Sequence, residues 1–598
     1  GGGGPTEEQM ERMQIMADLP DFPQVRAGRA GDYFTDLYQR VWENPRLPTW
    51  VGELYLEYHR GTYTSQAHIK QANRRAELFY REVELLNAWA SLYGMPSRQA
   101  ELNQGWRLIL LNQFHDVLPG SSIREVYDDA ERIYAEAHAI GKRIYDEALT
   151  ILLQSIRAGE QDLLILNTLA WERTDPLQAP AALAPALPHA QQTTDWEGNT
   201  VLLLDGVRLP PCGAQAVSAT SDAGIGEAQI SSTPRAVYAD EETIVLQNEY
   251  YDLWIDAQGE ISRLYDRHAE RDILAPGKTG NQLIAYEDRP LNFDAWDIDL
   301  FYEEKPYPVR AVISMRIIEE GPVRATVEIV RPYMSSLITQ RISLWRNSPR
   351  IDIATEIDWH EHQTLLKAAF PLAINSTRAT YEIQFGNVER PTHRNTSWDM
   401  ARFETCAHRW IDVSEGGYGI SLLNDSKYGH DVHDNVVRLT LLKSGVFPDV
   451  QADEGLHRFT YSLLPHGGDW REAQSVRRAY ELNVPVVCVA GQKRATSLPS
   501  VSATGVTSSS FVQVDCAHTV LETVKPAEDG DGIIVRLYEA HNQRGRGTLT
   551  FATSLLSAQE CNLLEEPIND VSYQGTALSF QVRPFEIKTF RIHLSPQG

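Results

Sequence analysis

The sequence predicts an α+β multidomain protein in which a three-helix bundle precedes antiparallel β-sandwich domains. Between Thr64 and Ile156 the apolar residues recur every three or four positions, which is the period of an amphipathic helix. After Gly159 the chain changes to short runs rich in Val, Ile, Thr and Tyr, broken by Pro, Gly and Asn, which indicates strands and turns. Segment 338–359 adds a third observation, because it alternates apolar and polar residues as a hairpin does.

Three helices are predicted, over 64–93, 97–114 and 123–156. Thr64 or Ser65 is the candidate N-cap of the first helix, and Gly94 is its expected end. Each helix carries one apolar stripe, so we expect the three helices to pack stripe against stripe as a bundle.

The region after the helices is expected to form packed sheets. Segments 338–345 and 351–359 flank the turn residues 346–349 and predict an antiparallel hairpin with one buried face. Burying that face against a second sheet predicts a sandwich. Loops or domain boundaries are expected at the Pro/Ala-rich and Ser/Thr-rich stretches 176–188, 218–234 and 495–510.

The composition excludes some partners. The 598 residues include 55 Lys and Arg against 81 Asp and Glu, a formal net charge of −26, which opposes binding to nucleic acid. No stretch approaches the roughly 20 apolar residues that span a bilayer, and no signal-peptide pattern is present, so no membrane partner is expected. The five cysteines are scattered and form no CxxC pair, which argues against a disulfide framework and favours the reducing cytoplasm.

Residues 111–121 are the most informative segment, because polar side chains interrupt an apolar run just before Pro119 and Gly120. If the run is buried, His115 and Asp116 need partners, since an unpaired buried imidazole or carboxylate costs several kcal/mol. Residue type alone favours a structural cap, in which Asp116 accepts backbone N–H groups of the turn. The alternative is a site in which His115 binds a zinc-like ion and Asp116 accepts a hydroxyl. One histidine cannot form a metal site by itself, so both interpretations stay open.

Four further segments carry chemistry that a site could use. The His-rich segments 360–362 and 430–434 contain metal-ligand residue types, but a polar strand face and a solvated loop are the favoured interpretations. Segment 294–299 sets Trp296 among aspartates, which suits either a sugar or a surface turn. Segment 57–64 combines donors and aromatics before a helix, where an oxygen-rich ligand or a plain helix entry fits. No GxSxG, Walker, HExxH or dinucleotide motif occurs, which excludes the commonest serine hydrolase, nucleotide and zincin classes.

Two longer blocks resemble glycoside hydrolase family 38 α-mannosidases of the cytosolic or vacuolar branch. They are residues 53–64, ELYLEYHRGTYT, and residues 112–121, NQFHDVLPGS. Further blocks that match the family lie at 287–290, 294–297, 389–398, 423–429 and 584–588. The resemblance therefore extends over essentially the whole chain.

The resemblance implies a β/α barrel, then a three-helix bundle, then β-sandwich domains. Residues 1–6 resemble an internal glycine motif at the end of the family's barrel, so the barrel before them is expected to be absent from this chain. The expected domains are the tail end of the catalytic barrel (1–63), the three-helix bundle (64–158), a small β domain (159–235), a large β-sandwich (236–482) and a C-terminal β-sandwich (483–598).

The resemblance also implies the chemistry. Family members are retaining glycosidases that hold zinc, with cobalt as the alternative metal, through an HxD pair, an aspartate that is also the nucleophile, and one later histidine. That later histidine matches His115, and Asp116 matches the residue that bonds a mannose hydroxyl. Tyr63, Trp296 and Lys427 lie in blocks that are expected to face the sugar. No catalytic carboxylate can be assigned in this chain.

We therefore expect the C-terminal portion of a zinc-dependent α-mannosidase that cleaves mannose-containing oligosaccharides and is inactive without its barrel. The expected location is the cytoplasm, and the expected assembly is a homo-oligomer. The alternative is a non-catalytic carbohydrate-binding or scaffolding fragment, in which His115 and Asp116 only cap the helix.

Overall fold

The computed structural model describes residues 4–155, 162–181, 190–218, 233–490 and 508–596. Much of the predicted loops 176–188, 218–234 and 495–510, and the predicted helix end at Ile156, lie outside these ranges. The chain divides into two compact units, Gly1–Tyr55 and Leu56–Gly598. No helix of the described residues is long and apolar enough to cross a membrane.

The first unit contains two helices, α1 (Glu7–Ala17) and α2 (Ala30–Val41). Thr6 caps α1 by accepting the backbone N–H of Gln9, whose side chain accepts the N–H of Thr6 in return. The large apolar side chains of α2 are exposed, and Tyr38 stacks on Trp42 with ring centres 4.8 Å apart. The described part of this unit has no strand, and the expected barrel end stays a prediction.

Three long helices follow in the second unit: α3 (Ala67–Ser91), α4 (Gln99–Asn112) and α5 (Arg124–Ser155). They confirm the three predicted helices within one to three residues at the described ends. Trp89 of α3, Ile109 of α4 and Ile144 of α5 belong to one buried cluster that continues into the C-terminal sheets. Two short 3₁₀ turns, Glu57–His59 and Gly61–Tyr63, precede α3.

The start of α3 differs from the prediction, because neither Thr64 nor Ser65 is its N-cap. The N-cap is Gln66, which lies in the left-handed region with φ 58° and makes no side-chain cap. Instead, the carboxylate of Asp453 accepts the backbone N–H groups of Gln66 and Ala67 at 2.8 and 2.6 Å. A carboxylate is stabilised there by the unpaired N–H groups of the first turn. A residue distant in sequence therefore replaces the local cap.

The remaining elements are mostly strands. The first are β1 (Asp162–Asn167), β2 (Leu177–Pro180), β3 (Gln191–Thr194), β4 (Thr200–Leu204) and β5 (Gly213–Ser218). The large sandwich contains β6 (Arg235–Tyr238), β7 (Ile244–Gln247), β8 (Tyr251–Ile255), β9 (Ile261–Asp266), β10 (Arg271–Asp272), β11 (Gln282–Glu287), β12 (Pro306–Pro308), β13 (Ser314–Glu320), β14 (Arg324–Tyr333), β15 (Ser336–Trp345), β16 (Ile351–Trp359), β17 (Thr364–Pro371), β18 (Arg378–Ile383), β19 (Gly386–Pro391), α6 (Ser397–Ala401), β20 (Thr405–Cys406), β21 (Trp410–Ser414), β22 (Tyr418–Asn424), β23 (Gly429–His433), β24 (Val436–Ser444) and β25 (Gly455–Gly467). The chain ends with α7 (Ser475–Asn483), β26 (Val487–Ala490), β27 (Ser508–Ser510), β28 (Val512–Val514), β29 (Thr519–Pro526), β30 (Ile533–Glu539), β31 (Gly545–Phe551), β32 (Leu555–Cys561), β33 (Pro567–Asp570), β34 (Tyr573–Gln574), β35 (Ala577–Val582) and β36 (Ile587–Leu594).

Antiparallel sheets build the large sandwich. A nine-stranded sheet runs β13-β14-β15-β16-β25-β22-β21-β18-β19, and a six-stranded sheet runs β12-β11-β17-β24-β23-β20. A five-stranded sheet, β10-β9-β8-β7-β6, packs with them. The predicted hairpin is confirmed as β15 and β16, which pair from Leu337 opposite Asp358 to Leu344 opposite Ile351. The shared core includes the buried side chains of Ile342, Trp359, Phe370 and Tyr461.

The C-terminal sandwich packs a four-stranded sheet, β28-β31-β35-β34, on a five-stranded sheet, β29-β30-β36-β32-β33. A separate sheet, β26-β1-β5-β27, combines β1 and β5 with strands that follow residue 483. It therefore joins segments that the sequence assigns to the small β domain and to the C-terminal sandwich. The limits of the expected domains stay predictions.

A buried ion cluster lies in the six-stranded sheet. The Lys367 ammonium on β17 has no exposed surface and donates to the carboxylates of Asp431, at 2.7 Å, and Glu404. Burial alone would disfavour its charge, but Asp431 and Glu404 outweigh burial and hold the pKa of Lys367 well above its usual value. The cation is therefore paired on both sides inside the protein.

Segment 430–434 is not the solvated loop that the sequence predicts. Most of it forms β23, where His430 is fully buried and burial lowers its pKa to about 3. Asp431 is buried as well, and its bonds to Lys367 and Arg438 compensate for the lost water. The prediction is wrong because the partners that permit burial lie on neighbouring strands, which a local sequence pattern does not show.

Candidate functional site

Two of the expected site blocks meet at the 3₁₀ turns before α3. The backbone N–H of Gly61 donates to the Trp296 carbonyl at 2.7 Å, and the Ser65 hydroxyl donates to the Ala295 carbonyl at 2.7 Å. A Cβ on Gly61 would lie 2.5 Å from the Lys443 side chain and 2.9 Å from the Ala295 carbonyl, so this approach requires glycine. Backbone contacts therefore hold the two blocks together.

The loop at 113–121, which follows α4, is anchored to the same place. Gly120 has φ +84° and packs so closely on the Ser65 carbonyl that a side chain there would collide with it. The buried ammonium of Lys70 donates to the carbonyls of Ser65, at 2.5 Å, and Leu118, at 3.0 Å. The start of α3 thus fixes the position of this loop.

His115 and Asp116 lie on the surface of the loop, contrary to the expectation that the run is buried. Their side chains are 76% and 45% exposed, and the apolar side chains of Leu110, Leu111 and Phe114 are exposed too. The polar groups therefore need no internal partner. His115 Nε2 lies 3.3 Å from an Asp116 carboxylate oxygen, so the two side chains form an exposed pair.

The Asp116 carboxylate is held by a side chain. Its Oδ1 accepts from the Ser121 hydroxyl at 2.9 Å, while the Asp116 carbonyl accepts from the Ser122 hydroxyl at 2.9 Å. A helix cap would require the carboxylate to accept a backbone N–H. The hydrogen bonds of the described residues include no such bond to Asp116. The structure therefore orients the carboxylate without using it as a helix cap.

Exposed apolar side chains are numerous on these segments. We use the term apolar rim for Leu56, Tyr58, Leu110, Leu111, Phe114, Ile123, Leu291, Phe293, Phe447 and Val450. Tyr58 and Phe293 meet edge to face with ring centres 6.1 Å apart, and the Phe447 carbonyl accepts from the Ala295 N–H at 3.1 Å. Exposed apolar patches beside polar groups mark surfaces that bind a ligand or another domain.

The other expected sugar-facing residues lie at different depths. Tyr63 and Trp296 are half-buried. Lys427 is only 5% exposed: its ammonium donates to the Leu441 carbonyl at 2.7 Å and lies 3.9 Å from the centre of the Phe459 ring. Lys427 is therefore an interior residue, and its role toward a sugar stays a prediction.

The buried Lys427 ammonium gives a prediction for stability. Burial lowers its pKa to about 8, against a usual value of 10.5. Between those values the unfolded chain holds the proton and the folded chain does not, so the free energy of unfolding rises with pH through this window. In Lys427→Met the side chain cannot titrate. Relative to this variant, the free energy of unfolding of the wild type should rise by up to about 3 kcal/mol from pH 8 to pH 10.5. Urea unfolding at the two pH values measures this difference, and a constant gap between the two proteins would contradict the assignment.

The aspartates of segment 294–299 hold neighbouring loops. Asp294 accepts the backbone N–H groups of Val446 and Phe447 at 2.5 and 3.1 Å. Asp297 pairs with Arg60 at 3.3 Å, and burial raises the pKa of Asp297. These contacts favour the structural interpretation of the aspartates and leave Trp296 as the residue of this segment that could face a sugar.

The histidines of segment 360–362 do not converge. His360 pairs with Asp358 at 3.0 Å, and His362 pairs with Glu454 at 3.1 Å. Glu361 instead accepts hydrogen bonds from the start of β15. Throughout the described ranges, no group of three or more His, Cys, Asp or Glu residues could hold a metal ion. His115 and Asp116 alone offer too few donors, because a catalytic zinc takes three protein ligands.

Sequence reasoning missed Lys70, which anchors the loop, and Asp453, which caps α3. Burial lowers the pKa of Lys70 to about 7 and raises the pKa of Asp453 to about 6. Neither residue stands in a recognisable motif. The turn at Gly120 could be predicted from the sequence, because a Pro-Gly pair is typical of a turn.

Three family models match the chain within the second unit. They are the alpha mannosidase middle domain at 57–152, the glycosyl hydrolases family 38 C-terminal domain at 246–451, and the family 38 C-terminal beta sandwich domain at 518–590. The chain therefore belongs to glycosyl hydrolase family 38. The first of these ranges contains the His115 loop and the anchor at the start of α3.

The chain is similar to named α-mannosidases over its whole length. It is 35% identical over 617 residues to Alpha-mannosidase 2C1 of Mus musculus, covering 99% of this chain and 55% of that protein. It is 32% identical over 636 residues to Alpha-mannosidase G of Dictyostelium discoideum, covering 99% of this chain and 57% of that protein. The chain thus spans about half the length of these relatives. An alpha-mannosidase structure from Enterococcus faecalis V583 shares the fold, with a TM-score of 0.77 at 16% identity over 98% of this chain and 74% of that one.

Proposed function

We propose that this chain supplies the middle and C-terminal domains of a retaining, metal-dependent α-mannosidase that hydrolyses mannose-containing oligosaccharides. The observation that carries the proposal is the exposed pair of His115 and Asp116, fixed on an anchored loop among apolar rim residues in a family 38 chain. Loop residues that are rigidly held yet exposed are typical of binding and catalytic positions.

His115 would contribute one ligand to the metal. Its Nε2 faces the Asp116 carboxylate, which leaves Nδ1 free for a metal and fixes the ring by a carboxylate contact, as metal-binding histidines often have. Zinc, or cobalt in its place, would act as a Lewis acid toward sugar hydroxyls. The remaining ligands would come from residues other than those described, because these offer no complete donor set.

Asp116 would bind and orient the sugar. One of its oxygens is held by Ser121, and a carboxylate has lone pairs left to accept a mannose hydroxyl. Tyr63 and Trp296 would bound the same face, where ring surfaces suit the apolar side of a sugar. A retaining mechanism further needs a nucleophilic carboxylate and an acid/base carboxylate, neither of which is assigned in this chain.

The proposal therefore requires a catalytic domain that covers the loop at 113–121, which carries His115 and Asp116. The apolar rim supports this, because such a surface is stabilised when a second domain buries it. The proposal includes a cytoplasmic location, supported by five free thiols, and a homo-oligomeric assembly, which light scattering on the purified protein would test.

A second candidate function is non-catalytic carbohydrate binding. It is favoured by a cleft of about 640 Å³ in the C-terminal sandwich, lined by Thr548, Asn569, Ser572, Ser579 and Gln581 among others. Hydroxyl and amide groups of this kind match sugar hydroxyls. Calorimetric titration of this chain with a mannose oligosaccharide separates the two functions, because only this candidate requires binding without a catalytic domain.

The substrate class is tested with paired aryl glycosides. The whole protein should release the aryl group from an aryl α-mannoside and leave the matching aryl β-mannoside intact, since only one anomer places its leaving group beside the acid catalyst. A chelator should stop the reaction, and added zinc should restore it. Equal cleavage of both anomers, or cleavage that ignores the chelator, would contradict the proposal.

A further inference from the structure

The C-terminal sandwich contains a line of three polar side chains, Cys516, His518 and Glu539, far in sequence from His115. The Cys516 sulfur lies 3.3 Å from His518 Nε2, and His518 Nδ1 lies 3.1 Å from a Glu539 oxygen. The sulfur and the carboxylate thus contact opposite nitrogens of the His518 imidazole. They cannot converge on one metal ion, but they can pass a proton along the line.

Glu539 fixes the tautomer of the imidazole. It is fully buried, and its two oxygens accept the backbone N–H groups of His541, at 2.8 Å, and Phe585, at 3.0 Å. A carboxylate held in this way accepts from His518 Nδ1–H. His518 Nε2 is then an acceptor that faces the thiol of Cys516.

Two glycines on β31 leave the space that the Cys516 and His518 side chains occupy. A Cβ on Gly545 would collide with the His518 ring, and a Cβ on Gly547 would lie 2.8 Å from Cys516 Cβ. The Thr519 hydroxyl donates to the Cys516 sulfur at 3.1 Å. The thiol is therefore closely packed against a proton acceptor and a hydrogen-bond donor.

Two clefts lie beside β31, the strand whose Gly545 and Gly547 pack on His518 and Cys516. Arg544, Arg546, Arg583 and Lys588 line a cleft of about 600 Å³ in a chain whose net charge is −26. Arg546 also lines the neighbouring 640 Å³ cleft, which reaches Asp515, next to Cys516, and Gly547, which packs on it. Cys516 itself is 8% exposed and lines neither cleft, and the carboxylates of Glu560 and Glu586 accompany the cations there.

Other cysteines lack this setting. Burial raises the pKa of Cys212 and Cys488 to about 12, and burial also raises that of Cys561. The thiols of Cys212 and Cys561 face backbone carbonyls, at 3.8 and 3.9 Å. These three cysteines are therefore internal standards for an unactivated thiol.

We propose that Cys516 is a redox modification site that reacts with hydrogen peroxide, with His518 accepting the thiol proton and Glu539 positioning His518. The thiolate attacks one peroxide oxygen, the O–O bond breaks, and the sulfur becomes a sulfenic acid. The departing hydroxide takes the proton from His518 Nε2 and leaves as water. The sulfur loses two electrons, and the peroxide gains them.

The test compares all the cysteines in one sample of the folded 598-residue chain. Hydrogen peroxide is added with a dione reagent that traps sulfenic acids, and peptide mass spectrometry follows each cysteine with time. Cys516 should be trapped at least about tenfold faster than Cys212, Cys488 and Cys561. His518→Gln should reduce the Cys516 rate to theirs, and Glu539→Gln should reduce it less.

Either of two results overturns the proposal: Cys516 reacts no faster than the three internal standards in the folded chain, or His518→Gln keeps the wild-type rate. Circular dichroism checks that each variant is folded. If His518→Gln does not fold, the wild-type comparison decides alone. In guanidinium all the cysteines should react alike, which shows that any difference comes from the fold.

Discussion

Lys367→Met is expected to lower the free energy of unfolding by about 3–5 kcal/mol. The replacement keeps most of the side-chain volume but removes the charge that Asp431 and Glu404 share inside the six-stranded sheet. Both carboxylates would then be buried with less compensation, and leaving a charge unpaired inside a protein costs more than the pair contributes. Urea unfolding at pH 7, followed by circular dichroism, measures the change.

Lys427→Met at pH 7 is the matched control. Lys427 is also a buried lysine, but the ion pairs of the described residues include none for it, and its ammonium donates to a carbonyl instead. The same change of shape without loss of an ion pair should cost less than about 2 kcal/mol. Equal losses in the two variants would mean that packing, not charge, determines the effect at Lys367.

His115→Ala is expected to lower α-mannosidase activity of the whole protein at least about a hundredfold, because a metal ligand contributes more than the groups around it. Stability should change by less than about 0.5 kcal/mol, since the His115 side chain is 76% exposed. Activity on an aryl α-mannoside, metal content by mass spectrometry and urea unfolding are measured on the same preparation.

His360→Ala is the control for this result. His360 is also an exposed histidine paired with a carboxylate, Asp358 at 3.0 Å, but it lies outside the His115 loop. It should keep full activity and metal content. If His115→Ala keeps its activity, or if it loses activity only together with stability, His115 is a structural residue and the proposed metal role is wrong.

The helices and the hairpin could be predicted because local periodicity determines them. A few helical turns of sequence show the apolar stripes of α3, α4 and α5. A few residues show the alternation in β15 and β16. The cap of α3 could not be predicted, because Asp453 stands far along the chain. Burial of His430 was missed for the same reason, since the pairing of Asp431 with Lys367 depends on which strands are neighbours.

His115 and Asp116 stay predicted site residues, but their setting differs from the one the sequence indicates. His115 and Asp116 were singled out because polar groups interrupt an apolar run, yet the run is exposed. An apolar surface that is left for a second domain has the same sequence pattern as a buried core. The anchoring by Lys70 was not predictable, because its acceptors are backbone carbonyls, which carry no sequence signal.

The central claim is that this chain holds one metal ligand, His115, and lacks the nucleophile. Its most direct test is hydrolysis of an aryl α-mannoside by the purified 598-residue chain, at verified mass, with added zinc and with a chelator. The account predicts no turnover in either condition, because no described group completes the metal site. Turnover that the chelator abolishes would contradict it and would mean that a carboxylate within this chain serves as the nucleophile, with the aspartates of segment 294–299 as the first to be replaced.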